Sequence, residues 1–310
     1  MTGFVARRGL HAVPVLLGVT LLSFLLIRIT PGDPVALMLG LRATPDEVAF
    51  WHGKFALDDP LPLQYLAFLK SVVTLDFGDS IQSRIPVTDL IGSRIGTTLS
   101  LMVYSVLISI TIAFPLAIWA AMRANRMSDH GIKLAMMLTF AMPAFWVGLI
   151  LIQTFSLRLG WFPASGLRQG ILPYVWSLTL PAVTIALYLS PVLVRSLRTT
   201  MIAILRTDYV EAARARGLSD GRVMRRYVLR NSLTSTVTMI GLSVAGLIGG
   251  SIVVENVFAL PGIGQLVVQS VTFRDFPVLQ ACVLLIGAWI ILANLVTDLV
   301  NARLDPRTRL

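Results

Sequence analysis

Charge is scarce in this chain of 310 residues: Asp, Glu, Lys and Arg make up 14% of it, against about 25% in a soluble domain. With 55% hydrophobic residues and a mean hydropathy of +0.78, that shortage excludes a soluble enzyme and marks an integral membrane protein. Cysteine is nearly missing; Cys282 stands alone, so no internal disulfide forms. The three histidines, His11, His52 and His130, are scattered and make no His/Cys cluster with metal-ligand spacing. The phosphate-binding pattern Gly-x-x-x-x-Gly-Lys-Ser/Thr is absent, because the one Gly-Lys pair, Gly53-Lys54, has no upstream glycine. The chain therefore has no ATPase site of that kind. His-Glu-x-x-His is missing too, and no Ser/His or paired intramembrane Asp arrangement replaces it, so no pattern supports an intramembrane enzyme. No acid falls in the middle of an apolar run and no two halves repeat in inverted fashion; both absences count against a carrier driven by an ion gradient.

Long apolar runs are what the chain has instead. Stretches without Asp, Glu, Lys or Arg cover 9–27, 95–122, 134–157, 169–194, 231–254 and 276–297. A helix rises about 1.5 Å per residue and the hydrocarbon core is about 30 Å thick, so a span needs roughly 20 residues. With flanking residues such as Arg28 allowed to snorkel, the runs predict an all-α membrane protein of six transmembrane helices. The spans fall at about 9–30, 98–122, 133–157, 177–195, 231–254 and 277–299. A further uncharged run, 256–273, holds Leu260-Pro261-Gly262-Ile263-Gly264, which breaks a spanning helix; a loop or short helix at the membrane face is expected there. Arg7 and Arg8 precede the first apolar run as in a signal peptide, but no small-x-small cleavage site follows, so an uncleaved first span is expected.

Arginine and lysine set the orientation. With the N-terminus inside, 17 basic residues lie on the cytoplasmic side and nine outside, while six acids lie inside and ten outside. Both termini are therefore expected in the cytoplasm. The formal net charge of +10 then reads as a cytoplasmic face near anionic lipid rather than as a nucleic-acid footprint.

Two segments between spans carry structure. The extracytoplasmic insertion 31–97 contains Thr44-Pro45-Asp46-Glu47, a helix start with an N-cap hydroxyl, proline at the first helical position and acids in the first turn. Asp59-Pro60-Leu61-Pro62 marks a second start, followed by an amphipathic stretch ending near Phe77-Gly78. On the cytoplasmic side, 196–230 reads as helix–turn–helix. Its first helix is expected to continue the fourth span to about Arg216, Gly217 to take the left-handed conformation that ends it, and Ser219 to cap a second helix bearing Arg222, Arg225, Arg226 and Arg230.

Within that loop stands Glu211-Ala212-Ala213-Arg214-Ala215-Arg216-Gly217. It resembles the Glu-Ala-Ala-x-x-x-Gly coupling-loop motif of ABC importer permeases, although Tyr227, Leu229 and Arg230 depart from the usual continuation. Other pieces follow in order along the chain: Pro31-Gly32-Asp33-Pro34, Leu57-Asp58-Asp59-Pro60-Leu61-Pro62, Leu75-Asp76-Phe77-Gly78-Asp79-Ser80, Met142-Pro143-Ala144-Phe145, Gly160-Trp161-Phe162-Pro163, Gly249-Gly250-Ser251, Arg274-Asp275-Phe276-Pro277 and Leu304-Asp305-Pro306-Arg307. As an ordered set they resemble the B-type permease subunits of the peptide/opine/nickel uptake family. That resemblance implies a type I ABC importer permease fold and a machine with four kinds of part. This chain would pair with a homologous second permease, two cytoplasmic ATPases would each bind one coupling loop, and an extracytoplasmic solute-binding protein would deliver cargo. It implies no cofactor or metal on this chain, with ATP and Mg held by the ATPases, and location in the bacterial inner membrane. Di- or oligopeptides lead as cargo; nickel or a metal chelate, an opine or glutathione are the alternatives.

The resemblance makes Glu211, Ala212, Ala213, Arg214 and Gly217 candidate coupling residues, with Ala212 and Ala213 small enough to sit against a partner. The fifth span carries Gly246, Gly249 and Gly250, which suit close helix approach, either in ordinary packing or at a moving interface between two permeases. Glu255 ends that span, at the headgroups or facing the pathway or the docked binding protein. Asn294, Asp298 and Asn301 share one face of the sixth span, expected to turn toward protein rather than lipid, for interhelical hydrogen bonding or to line the pathway. Pro143, Pro181 and Pro191 would each kink or begin a helix.

Overall fold

In hydrocarbon every backbone N–H and C=O must be satisfied within its own segment, and the α-helix does this. The computed structural model describes residues 2–29, 35, 44–54 and 57–304, and among these there is no strand, only an isolated bridge between Asp79 and Pro86. The helices are α1 (Thr2–Ile29), α2 (Pro45–Lys54), α3 (Leu61–Thr74), α4 (Val87–Met122), α5 (Met127–Ala141), α6 (Ala144–Leu151), α7 (Ile171–Leu205), α8 (Asp208–Ala215), α9 (Asp220–Val223), α10 (Arg230–Val257), α11 (Ile263–Phe273) and α12 (Phe276–Leu304). Wider π-helical turns extend α6 over Ile152–Arg158 and join α9 to α10 over Met224–Leu229. The motifs Pro31-Gly32-Asp33-Pro34 and Asp305-Pro306-Arg307 lie outside the described residues.

Four described helices are long and apolar enough to cross a membrane: α4, α7, α10 and α12. A fifth crossing results if α5 and α6 count as one, although the two meet at 99°. The break has a local cause. Pro143 cannot donate an N–H, and its ring pushes Met142 out of the helical region to ψ 131°. The run expected as the third span, with a kink or a helix start at Pro143, is a pair of helices bent at that proline. In α1 the described apolar stretch is Ala12–Leu26, shorter than the others.

The chain divides into two compact units, Met1–Thr98 with Pro261–Ile291, and Leu99–Leu260 with Leu292–Leu310. In the first unit α3 is locked to α1. Arg28 Nε donates to Gln64 Oε1 at 2.9 Å and its guanidinium lies 3.5 Å from the Phe24 ring centre. Gln64 Nε2 in turn donates to the carbonyls of Leu57 and Asp59 at 2.9 and 2.7 Å, fixing the turn that starts α3. Ser23 and Gln280 exchange side-chain-to-carbonyl bonds at 3.3 and 3.1 Å. Two of the sequence pieces noted above meet here, 195 positions apart: Ser80 Oγ donates to Asp275 Oδ2 at 2.5 Å. The backbone N–H of Ile81 also points to that buried carboxylate, at 3.4 Å.

The second unit is built on α7, which packs against α10, α5 and α6. Buried hydroxyls on these helices bond back to carbonyls one turn earlier, as Ser190 does to Ala186 at 2.6 Å and Thr184 to Leu180 at 2.8 Å. Glycine is required where α10 meets α12, because a Cβ on Gly241 would run into the Thr297 side chain. One turn further along, Asn301 Nδ2 donates to Thr238 Oγ1 at 3.0 Å, an interhelical hydrogen bond on the polar face of α12.

Candidate functional site

The loop 206–229 is held by an apolar base. Val210, Ala213, Val223, Met224 and Val228 are buried in one cluster with Ala117 and Ala121 of α4 and Leu197 and Met201 of α7. On a helix, positions three apart share a face, so Val210 and Ala213 turn inward together. The opposite face is exposed and carries Asp208, Glu211, Ala212, Arg214 and Ala215. Ala213 is only 5% exposed; it packs inside the chain, so of the two small residues expected to meet a partner only Ala212 is available. At Ala213 the need for a small residue comes from the chain's own buried cluster, which includes Val210, Val223 and Val228.

The helix expected to continue the fourth span to Arg216 is interrupted. α7 ends at Leu205, Thr207 is extended, and α8 begins afresh at Asp208. The Thr207 hydroxyl bonds back to the Ile204 carbonyl at 2.6 Å, so it serves the end of α7 rather than the start of α8. α8 closes on Gly217, at φ 80°. The N–H of Leu218 bonds to the Ala213 carbonyl at 3.3 Å and that of Gly217 to Arg214 at 2.8 Å, the paired C-terminal bonds of a left-handed glycine cap. Among the described residues no atom crowds Gly217; the backbone angle is what calls for glycine there. Ser219 occupies the N-cap position of α9, but its hydroxyl makes no capping bond; its carbonyl takes the N–H of Val223 at 3.0 Å instead.

The exposed surface is strongly basic: between 206 and 230 seven arginines face three acids. Arg214 Nε reaches Asp220 Oδ1 at 3.2 Å, bridging α8 and α9. Both ends are open to solvent, so that pair contributes at most about 1 kcal/mol. Arg222, Arg225, Arg226 and Arg230 are exposed. Asn231 braces the turn by donating to the Tyr227 carbonyl at 2.8 Å and the Tyr209 hydroxyl at 3.3 Å.

An ion cluster beneath the loop was not evident from the motif. Asp129, in the first turn of α5, is fully buried. Arg198 of α7 grips it with two bonds, at 2.6 and 2.7 Å. Lys133 Nζ lies at 3.0 Å and the Asn125 N–H donates at 2.9 Å. The one sequence signal was a lone acid between Arg126 and Lys133.

Of the remaining candidates, Gly246, Gly249 and Gly250 are exposed, with open space where a Cβ would stand. Among the described residues nothing packs against them. Glu255 is completely buried within the chain. On α12, Asn294 is exposed and Asp298 half-buried. Among the described residues no group of three or more His, Cys, Asp or Glu side chains is placed to hold a metal ion.

Residues 113–310 match the family described as binding-protein-dependent transport system inner membrane component, and residues 1–102 match that described as its N-terminal part. The oligopeptide transport system permease protein AppB of Bacillus subtilis is 37% identical, over 99% of each chain. The glutathione transport system permease protein GsiC of Salmonella paratyphi A is 39% identical, over 100% of this chain and 99% of its own. In fold, the chain is similar to one from the inward-facing MetNI methionine ABC transporter, with a TM-score of 0.60 at 17% identity over 70% of this chain and 96% of that one. With both family matches in place and such relatives aligned from end to end, the chain belongs to the inner-membrane components of binding-protein-dependent transport systems, the permeases of ABC importers.

Proposed function

We propose that the chain forms half of the passage of an ATP-driven importer for di- or oligopeptides, with six crossings and both termini in the cytoplasm. The relatives whose names specify an oligopeptide and glutathione, itself a short peptide, support that cargo. A homologous second permease supplies the other half. Two cytoplasmic ATPases hold the ATP and Mg, and an extracytoplasmic binding protein selects the cargo.

The observation that carries the coupling role is the two-sidedness of α8: Glu211, Ala212 and Arg214 face outward while Val210 and Ala213 are sunk among the ends of α4 and α7. A partner that grips the outer face moves the inner face with it, because a close-packed apolar cluster transmits displacement. Motion of this kind needs a partner whose interaction differs between two states, and ATP-driven closure of the ATPases provides it. α7 and α10 then tilt with the loop. The open glycines Gly246, Gly249 and Gly250 provide a surface for close approach by the second permease; Asn294 and Asp298 are candidates for the moving interface, and Glu255, enclosed within the chain, for the gate.

Substitution Gly217→Glu tests the assignment. A side chain at φ 80° costs about 1–2 kcal/mol and swings the loop out of its angle. The complex should assemble and hydrolyse ATP while binding-protein-dependent uptake is lost; normal uptake by this variant refutes the coupling role. Ligand-stimulated ATPase activity of the reconstituted complex, compared for dipeptides, oligopeptides, glutathione and nickel chelates, tests the cargo.

A further inference from the structure

Between α5 and α7 lies an open groove of about 410 Å³, within the range of small-molecule sites. Its walls are apolar, formed by Met136, Met137, Phe140, Val192 and Val194, and its rim carries Lys133, Arg195 and Arg198. Phe140 stacks on Tyr188 at 5.5 Å and holds the wall in place. Met137 is 73% exposed, a large apolar side chain with little of the chain over it.

The rim has unspent charge. Arg198 and Lys133 both serve Asp129, so two cations share one acid. Arg195 is exposed and forms no ion pair among the described residues. Two positive charges are left over at one end of an apolar trough. From Lys133 to Phe140 the helix rises about 10 Å, so the trough runs from the basic rim into the hydrocarbon. Free phosphate or a nucleotide would use the rim and leave the trough empty. A spanning helix would fill the trough and leave the cations unpaired. A phospholipid satisfies both, with its phosphate at Arg195 and Lys133 and an acyl chain along the methionines, which adapt to irregular chains.

We propose that this groove binds one anionic phospholipid of the inner leaflet. The site is independent of cargo and of the coupling assignment; it uses only the cytoplasmic placement of Arg195. Basic clefts between membrane helices on that side are suited to such headgroups.

The test uses the complete importer, purified in detergent and supplied with phosphatidylglycerol, with retained lipid counted by native mass spectrometry. At a lipid concentration near the wild-type midpoint, wild type should retain more phosphatidylglycerol per copy of this chain than Arg195→Gln does, the excess reaching no more than one lipid. Each rim charge removed should weaken retention about fivefold, and the difference should shrink as salt is raised. Met137→Trp blocks the trough without touching charge and should abolish retention in a complex that still assembles. Equal retention by wild type and both variants overturns the proposal. So does equal retention of phosphatidylcholine, which would mean an apolar surface only. Crosslinking of Met137→Cys to the second permease, showing a protein occupant, overturns it as well.

Discussion

Replacing Asp129 with alanine probes the link between α5 and the root of the coupling loop. The carboxylate takes two bonds from Arg198, at 2.6 and 2.7 Å, with Arg198 only 17% exposed. A hydrogen bond to a charged group contributes about 1.5–3 kcal/mol. Two of them, less the water that reaches the freed guanidinium, give a loss of about 3–5 kcal/mol, the range seen when one partner of a buried pair is removed. Lys133 adds little because it is 42% exposed and water screens it. The measurement is chemical denaturation of the purified protein in detergent, followed by tryptophan fluorescence, for wild type, Asp129→Ala, Arg198→Leu and the double variant. Much of the single-variant loss is the stranded charge, so the double variant should be more stable than the summed losses predict, by about 1–3 kcal/mol. Stability of Asp129→Ala within about 0.5 kcal/mol of wild type, or strict additivity in the cycle, would falsify the view that this pair holds α5 to α7.

Two paired substitutions separate internal packing from partner contact. Ala213→Leu overfills the cluster around Val210 and Val223 and should cost about 1–3 kcal/mol in the isolated permease. Ala212→Leu, on the exposed face, should leave that stability unchanged and instead weaken capture of the ATPases in a pull-down; equal destabilisation by the two would contradict the orientation of α8. On α10, Gly241→Val collides with Thr297 and should lower the folded yield of the chain itself. Gly246→Val meets open space, so the chain should fold while co-purification of the second permease declines; unchanged co-purification would remove Gly246 from the interface. With the Gly217 and lipid-retention experiments above, these outcomes separate three surfaces of one chain.

Local properties are what the sequence by itself determined. Membrane insertion and helicity follow from composition, because uncharged runs of spanning length leave the backbone no other way to satisfy its polar groups. The left-handed turn at Gly217 was legible for the same reason: one residue type suits that angle, and its neighbours in sequence supply the bonds. Pro143 was legible as a break, though not that it would turn α5 against α6 by 99°. The stop between Leu205 and Asp208 was hidden, since neither glycine nor proline marks it.

Only the tertiary structure decided which side of the coupling helix is free. Ala212 and Ala213 are identical as residues, and the valines that bury one of them come from α8 itself, α9 and the turn after it. It also decided the partners of the acids. Asp129 meets Arg198 across 69 positions and Asp275 meets Ser80 across 195. Such pairs depend on which helices pack together, and that is set by the shapes of whole apolar faces rather than by any short pattern.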